Sequence, residues 1–115
     1  MKISEICEIL GGEVLAGEDR LDTDVFSACG SDMMSDVLAY VKDQAVLLTG
    51  LVNAQVVRTC NMMDIHCVVF VRGKVPSGDI LDLAREHNMT VITTCLRLYS
   101  ACGKLYKAGL GGDGE

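Results

Sequence analysis

Three short, continuous apolar runs constrain this chain more than any other feature: "AVLLTG" from Ala45, "HCVVFV" from His66 and "TVITT" from Thr90. Each is too short for a core helix, rich in β-branched residues and closed by a turn signal, as expected of a strand buried on both faces. Each is followed by a segment with helical spacing. "NAQVVRTCNMM" begins on Asn53, a good N-cap, and "SGDILDLAREHN" begins on Ser77 behind Pro76, which blocks an earlier start. "CLRLYSACGKLYKAG" is the last helix. From residue 45 onward the pattern is therefore β-α-β-α-β-α, which predicts a parallel sheet covered by helices and joined by right-handed crossovers.

The N-terminal third adds a helix and two strands. "ISEICEILGG" puts Ile3, Ile6, Cys7 and Leu10 on one face and stops at Gly11-Gly12. "EVLAG" and "TDVFSAC" read as strands separated by a "GEDR" turn, and "SDMMSDVLAYVK" reads as the next helix, with Asp32 and Asp36 early and Lys42 late. The fold class expected is a three-layer α/β domain whose sheet is mainly parallel, with the N-terminal strands leaving room for mixed pairing. At 115 residues the chain makes one domain, residues 1–110, with a flexible Gly-rich tail over 111–115.

Half of the residues are hydrophobic and the mean hydropathy is positive. Small domains leave much of their surface uncovered, so some of this apolar content is expected to lie in a homodimer interface. The N-terminus has no long apolar segment, and no run approaches a membrane span of about 20 residues. A cytoplasmic protein without membrane contact is the expectation. The six cysteines sit inside apolar runs, the closest spacing being C-x6-C at Cys60/Cys67 and Cys95/Cys102. They read as small, reduced hydrophobes rather than disulfides or metal ligands, and no cofactor is implied. Charge is uneven: residues 1–43 carry a net −7, residues 44–112 a net +3 and the tail −2. An acidic chain poor in aromatic residues is a weak nucleic-acid binder, while its basic half suits a small anion.

In an open α/β sheet, ligands sit beyond the carboxyl ends of the strands. The residues placed there are Gly30, Ser31, Asp32, Thr49, Gly50, Arg72, Gly73, Thr93 and Thr94. Their hydroxyls, free N–H groups and one guanidinium suit a phosphate or carboxylate. The alternative for each is ordinary: Ser31 and its like as caps, and Arg72 as a solvated loop charge near Lys74. No Ser/His/Asp set has interpretable spacing, and His66 and His87 read as structural. Met33, Met34, Met62 and Met63 read as core filling, or as a soft binding surface. Gly103 inside the last helix costs about 1 kcal/mol against Ala, which a close helix contact would explain.

The stretch "EICEILGGEVLAGEDRLDTDVFSACGSDMMSDVLAYV" resembles the start of DRTGG-type domains, which are similar to the N-terminal domain of HPr kinase/phosphorylase and, more remotely, of Mur ligases. Ser31-Asp32-Met33-Met34-Ser35 stand where that family has Gly-Asp, two aliphatics and Ser. "VVFVRGKVPSGDILDLAREHNMTVITT" resembles its strand, glycine loop, Pro-led helix and following strand. The eponymous Asp-Arg falls near Leu51-Val52 and the Thr-Gly-Gly at Val71-Arg72-Gly73. No G-x-x-x-x-G-K-[ST] phosphate loop occurs. The resemblance implies a non-enzymatic regulatory or accessory domain without catalytic residues; the cap-rich rim with Arg72 suggests that it senses a small anion, a nucleotide or phosphometabolite. Its stand-alone members, found near hydrogenase and NADH-oxidising subunits, imply the alternative of a protein–protein module docking to a redox enzyme.

Overall fold

The computed structural model describes residues 1–40 and 44–112. Helix α1 (Ile3–Leu10) is followed by strand β1 (Glu13–Ala16), a 3-10 turn at Glu18–Arg20 and strand β2 (Ser27–Gly30). Then come α2 (Met34–Tyr40), β3 (Ala45–Thr49), α3 (Ala54–Met62), β4 (Cys67–Phe70), α4 (Gly78–Glu86), β5 (Thr90–Thr93) and α5 (Leu98–Lys107). The end of the helix expected over "SDMMSDVLAYVK" falls at 41–43, and the end of the tail at 113–115, both outside the described residues.

The five strands form one sheet in the order β1-β5-β4-β3-β2. Strands β2 to β5 are parallel, and β1 runs antiparallel along β5 with an irregularity between Val14 and Ala16. The sheet is thus mixed, with the odd strand at one edge. The apolar runs look continuous in sequence because helices cover both faces, but their side chains still alternate. Val46, Leu48, Cys67, Val69 and Ile92 pack with Ile3, Ile6 and Leu10 of α1 and Ala101 and Leu105 of α5. Leu47, Val68, Phe70 and Val91 pack with Met34 and Val37 of α2, Val56, Val57 and Cys60 of α3 and Ala84 of α4. Burying each large side chain contributes about 1.5–3 kcal/mol, so the two cores on either side of the central strands dominate stability.

Local signals explain most of the ends. Asn53 Oδ1 accepts from Val56 N–H at 3.1 Å, the cap read from the sequence. Ser77 holds the N-cap position of α4 without a side-chain bond to the helix. At α1, Glu5 reaches back to accept from Lys2 N–H at 3.1 Å. Helix α5 starts at Leu98, later than the apolar pattern implies, because the Cys95–Arg97 segment is held by Arg72 N–H donating to Leu96 O at 2.8 Å. Two of the methionines read as core are not: Met33 and Met62 are largely exposed, while Met34 is buried. Among the cysteines Cys60 and Cys67 are buried, Cys7, Cys29 and Cys102 are half-buried, and Cys95 is exposed; all are free thiols.

The outer edge of β2 is partly covered by the chain's own end, where Gly111 O accepts from Ala28 N–H at 2.9 Å. No helix among the described residues is long and apolar enough to cross a membrane.

Candidate functional site

The carboxyl ends of the four parallel strands open on one rim, and Gly50, the residue after β3, is its centre. Three charged side chains from two different loops converge on this buried glycine. Asp32, between β2 and α2, accepts from Gly50 N–H at 2.7 Å through Oδ1. Lys74 Nζ donates to Gly50 O at 2.7 Å. The Arg72 guanidinium lies across the Cα: a Cβ built there would sit 2.6 Å from Nη2 and 3.3 Å from Cζ.

The backbone of the β4–α4 loop sets this up. Arg72 and Gly73 are both left-handed, at φ 61° and 67°. Left-handed backbone is permissive for glycine and strained for arginine, at a cost of order 1–3 kcal/mol. The strain is held by two hydrogen bonds to the neighbouring loop, Arg72 N–H to Leu96 O and Gly73 N–H to Thr94 O, both 2.8 Å. The loop is thereby folded back so that the exposed Arg72 and the half-buried Lys74 both reach Gly50 at the end of β3.

The remaining residues expected on the rim divide by what their side chains do. Thr49 is fully buried; its hydroxyl donates to Asp32 Oδ1 at 3.1 Å and accepts from Leu51 N–H at 3.1 Å. Thr93 donates to Lys74 O at 2.7 Å, bracing the lysine's loop. Thr94 instead donates to Leu10 O at 2.8 Å, tying β5 to the end of α1 on the other face. Ser31 Oγ accepts from Met33 N–H at 3.0 Å, so it closes a local turn ahead of α2 instead of capping it. Gly30 faces α5: a Cβ there would collide with Cys102 Sγ, which makes Gly30 the close-approach point between β2 and the last helix. The structure thus brings Asp32, Thr49, Gly50, Arg72, Gly73 and Thr93 together and leaves Gly30, Ser31 and Thr94 on separate duties.

Lys74 belongs to the cluster and was noted in the sequence only as a neighbour of Arg72. Its sole sequence signal is a second cation in the same glycine loop. Among the described residues the ion pairs are Asp19–Arg20 and Asp82–Arg85, so neither Arg72 nor Lys74 is neutralised by a carboxylate within 4.0 Å.

The thiols lie apart from this chemistry. Burial pushes Cys60 up to about 12, with a smaller contribution from Cys29. Burial also raises Cys67, Cys29, Cys102 and Cys7, which disfavours the thiolate at each. No group of three or more His, Cys, Asp or Glu among the described residues could hold a metal ion.

The family model of the DRTGG domain matches residues 5–107. The chain belongs to the DRTGG domain family. Its structure resembles the CBS and DRTGG domains of the regulatory region of Clostridium perfringens pyrophosphatase, solved with its activator diadenosine tetraphosphate. The TM-score is 0.73 at 21% identity, over 90% of this chain and 45% of that one. At that identity the likeness speaks for the fold, and this DRTGG domain spans under half of the region it resembles. A search of the curated proteins gives no match.

Proposed function

We propose that this DRTGG domain is a cytoplasmic, non-enzymatic regulatory module that senses a small anionic ligand, a nucleotide or phosphometabolite, as a homodimer. One observation carries the reading: Arg72 and Lys74 converge on Gly50 at the strand rim, and among the described residues neither is ion-paired with a carboxylate. Two convergent cations facing a single nearby carboxylate, Asp32, leave a net positive potential that suits an oxyanion. Holding Arg72 in a left-handed backbone has an energetic cost that a merely solvated charge does not require. The binding of diadenosine tetraphosphate by the regulatory region of the pyrophosphatase supports a nucleotide as the kind of ligand.

Calorimetric titration with ATP and with pyrophosphate tests this. Saturable binding that is lost in Arg72→Ala and weakened in Lys74→Ala supports the reading. No binding, or binding indifferent to both substitutions, refutes it.

A second reading, docking to a redox enzyme, is favoured by one face of α5. Tyr99 and Tyr106 are 90% and 74% exposed, and between them Gly103 has open space where a side chain would stand. Together with Ala28 and Cys102 they line an apolar groove of about 330 Å³. Among the described residues nothing approaches the open side of Gly103, which leaves room for a close helix approach by a second molecule. We assign the homodimer contact to this same face. Gly103→Glu should therefore yield a monomer by native mass spectrometry without changing anion binding. An unchanged subunit count would place the interface elsewhere.

A further inference from the structure

We infer that Asp32 is a built-in competitor at the rim: its carboxylate occupies the hydrogen-bond donors that a ligand phosphate takes, and binding displaces it and frees the β2–α2 segment. This rests on the anion-sensing reading above and specifies how that site is regulated.

The donors are the starting point. Gly50 N–H and the Thr49 hydroxyl are both buried, and neither caps α3, whose N-terminus is served by Asn53. Both point at one oxygen, Asp32 Oδ1, supplied from 17 and 18 residues away in sequence. A carboxylate oxygen and a phosphate oxygen accept the same N–H and O–H bonds, so the pocket that fits Asp32 is chemically an oxyanion seat. The cations complete it, since Arg72 and Lys74 engage the same glycine from its other sides. They approach Gly50 without forming an ion pair with Asp32. One carboxylate thus faces two cations, which leaves the site with unsatisfied positive charge for a more highly charged anion.

The segment carrying Asp32 is short and lightly packed. Helix α2 has seven residues; among its described side chains Met34 and Val37 join the core, while Leu38, and Met33 just before the helix, are exposed. Its strand, β2, lies at the sheet edge. The two hydrogen bonds from Thr49 and Gly50 to Asp32 therefore act as a latch on the β2–α2 connection. Releasing them turns occupancy of the rim into a change in the surface around Met33 and Leu38.

The test combines calorimetry with backbone amide NMR on the full chain, using pyrophosphate and ATP as probes. Asp32→Asn keeps an oxygen that can accept from Gly50 N–H but removes the charge. It is expected to bind pyrophosphate at least tenfold tighter than the wild type. In the wild type, pyrophosphate should shift the amides of Gly50 and of Met33 to Asp36. Arg72-dependent binding by the wild type with Asp32→Asn affinity within twofold overturns the competitor role and leaves the rim reading intact. Absence of binding in every variant overturns both. Should Asp32→Asn fail to fold, the wild-type titration decides: saturable binding that leaves the Gly50 and Met33 amides unmoved refutes displacement.

Discussion

Replacing Gly50 with alanine separates the site from the fold. Gly50 is buried, yet its backbone is not left-handed, so an alanine is conformationally acceptable there. The new Cβ would lie 2.6 Å from Arg72 Nη2, 3.3 Å from Cζ and 3.4 Å from Nε, with no backbone atom among its nearest neighbours. Ordinary heavy-atom contact is about 3.5 Å or more, so the guanidinium must retreat by roughly 1 Å. Arg72 is exposed and flexible at its tip, so this movement is cheap. The reduced freedom of the unfolded chain returns about 0.4–1 kcal/mol. Net stability should change by less than about 1 kcal/mol. The site should not survive so well. Displacing the guanidinium removes one charge-assisted bond to the ligand, worth about 1.5 kcal/mol at the lower, solvent-exposed end of the range, which is about tenfold in affinity. Urea unfolding and calorimetry with pyrophosphate on the same preparation measure both quantities. A loss of more than 2 kcal/mol in stability, or unchanged affinity, would refute the claim that Arg72 is seated on Gly50 in order to bind.

Other substitutions and conditions probe the fold. Gly17→Ala should be severely destabilising, by about 2 kcal/mol or more, since Gly17 is left-handed at φ 80° and a Cβ would meet the Thr90 Cα at 2.6 Å; thermal melting measures it. Asn53→Ala should cost about 1 kcal/mol through loss of the bond to Val56 N–H, read from denaturant midpoints. Stability should fall as pH rises above 9.0, because Cys60, raised to about 12, and Cys67, also raised, keep their protons while folded and lose them when unfolded. By pH 10 the two together should cost about 3 kcal/mol, and a flat stability profile between pH 8 and 10 contradicts this. A thiol reagent at neutral pH should label Cys95 rapidly and the buried Cys60 and Cys67 only after unfolding.

The sequence was most informative where physics is local. The apolar runs at Val46, Val68 and Val91 declared strands because only a doubly covered sheet tolerates them, and Asn53 declared its helix start because its side chain serves the next turn. Strand order was less accessible. Nothing in "EVLA" states that it pairs antiparallel with β5 at the far edge, since its half-buried Val14 and Leu15 suit any edge. The start of α2 is set by long-range chemistry: Asp32 is drawn to Gly50, so the helix begins after it, at Met34. Lys74 is the clearest gap. A lysine in a glycine loop reads as a solvated charge, and only the left-handed turn at Arg72 and Gly73 returns it to Gly50, 24 residues away in sequence. Met33 and Met62 are the converse case: helical spacing placed them in the core, but they fall at the ends of short helices where the core has ended.

Native mass spectrometry of gently purified protein, before and after incubation with ATP or pyrophosphate, decides whether the rim holds a phosphate-bearing ligand. It reports subunit count and bound mass together. The expected result is a dimer that carries a phosphate-bearing adduct, and loss of that adduct in Arg72→Ala with the dimer intact. Bare protein in every sample, or an adduct that persists without Arg72, would contradict it.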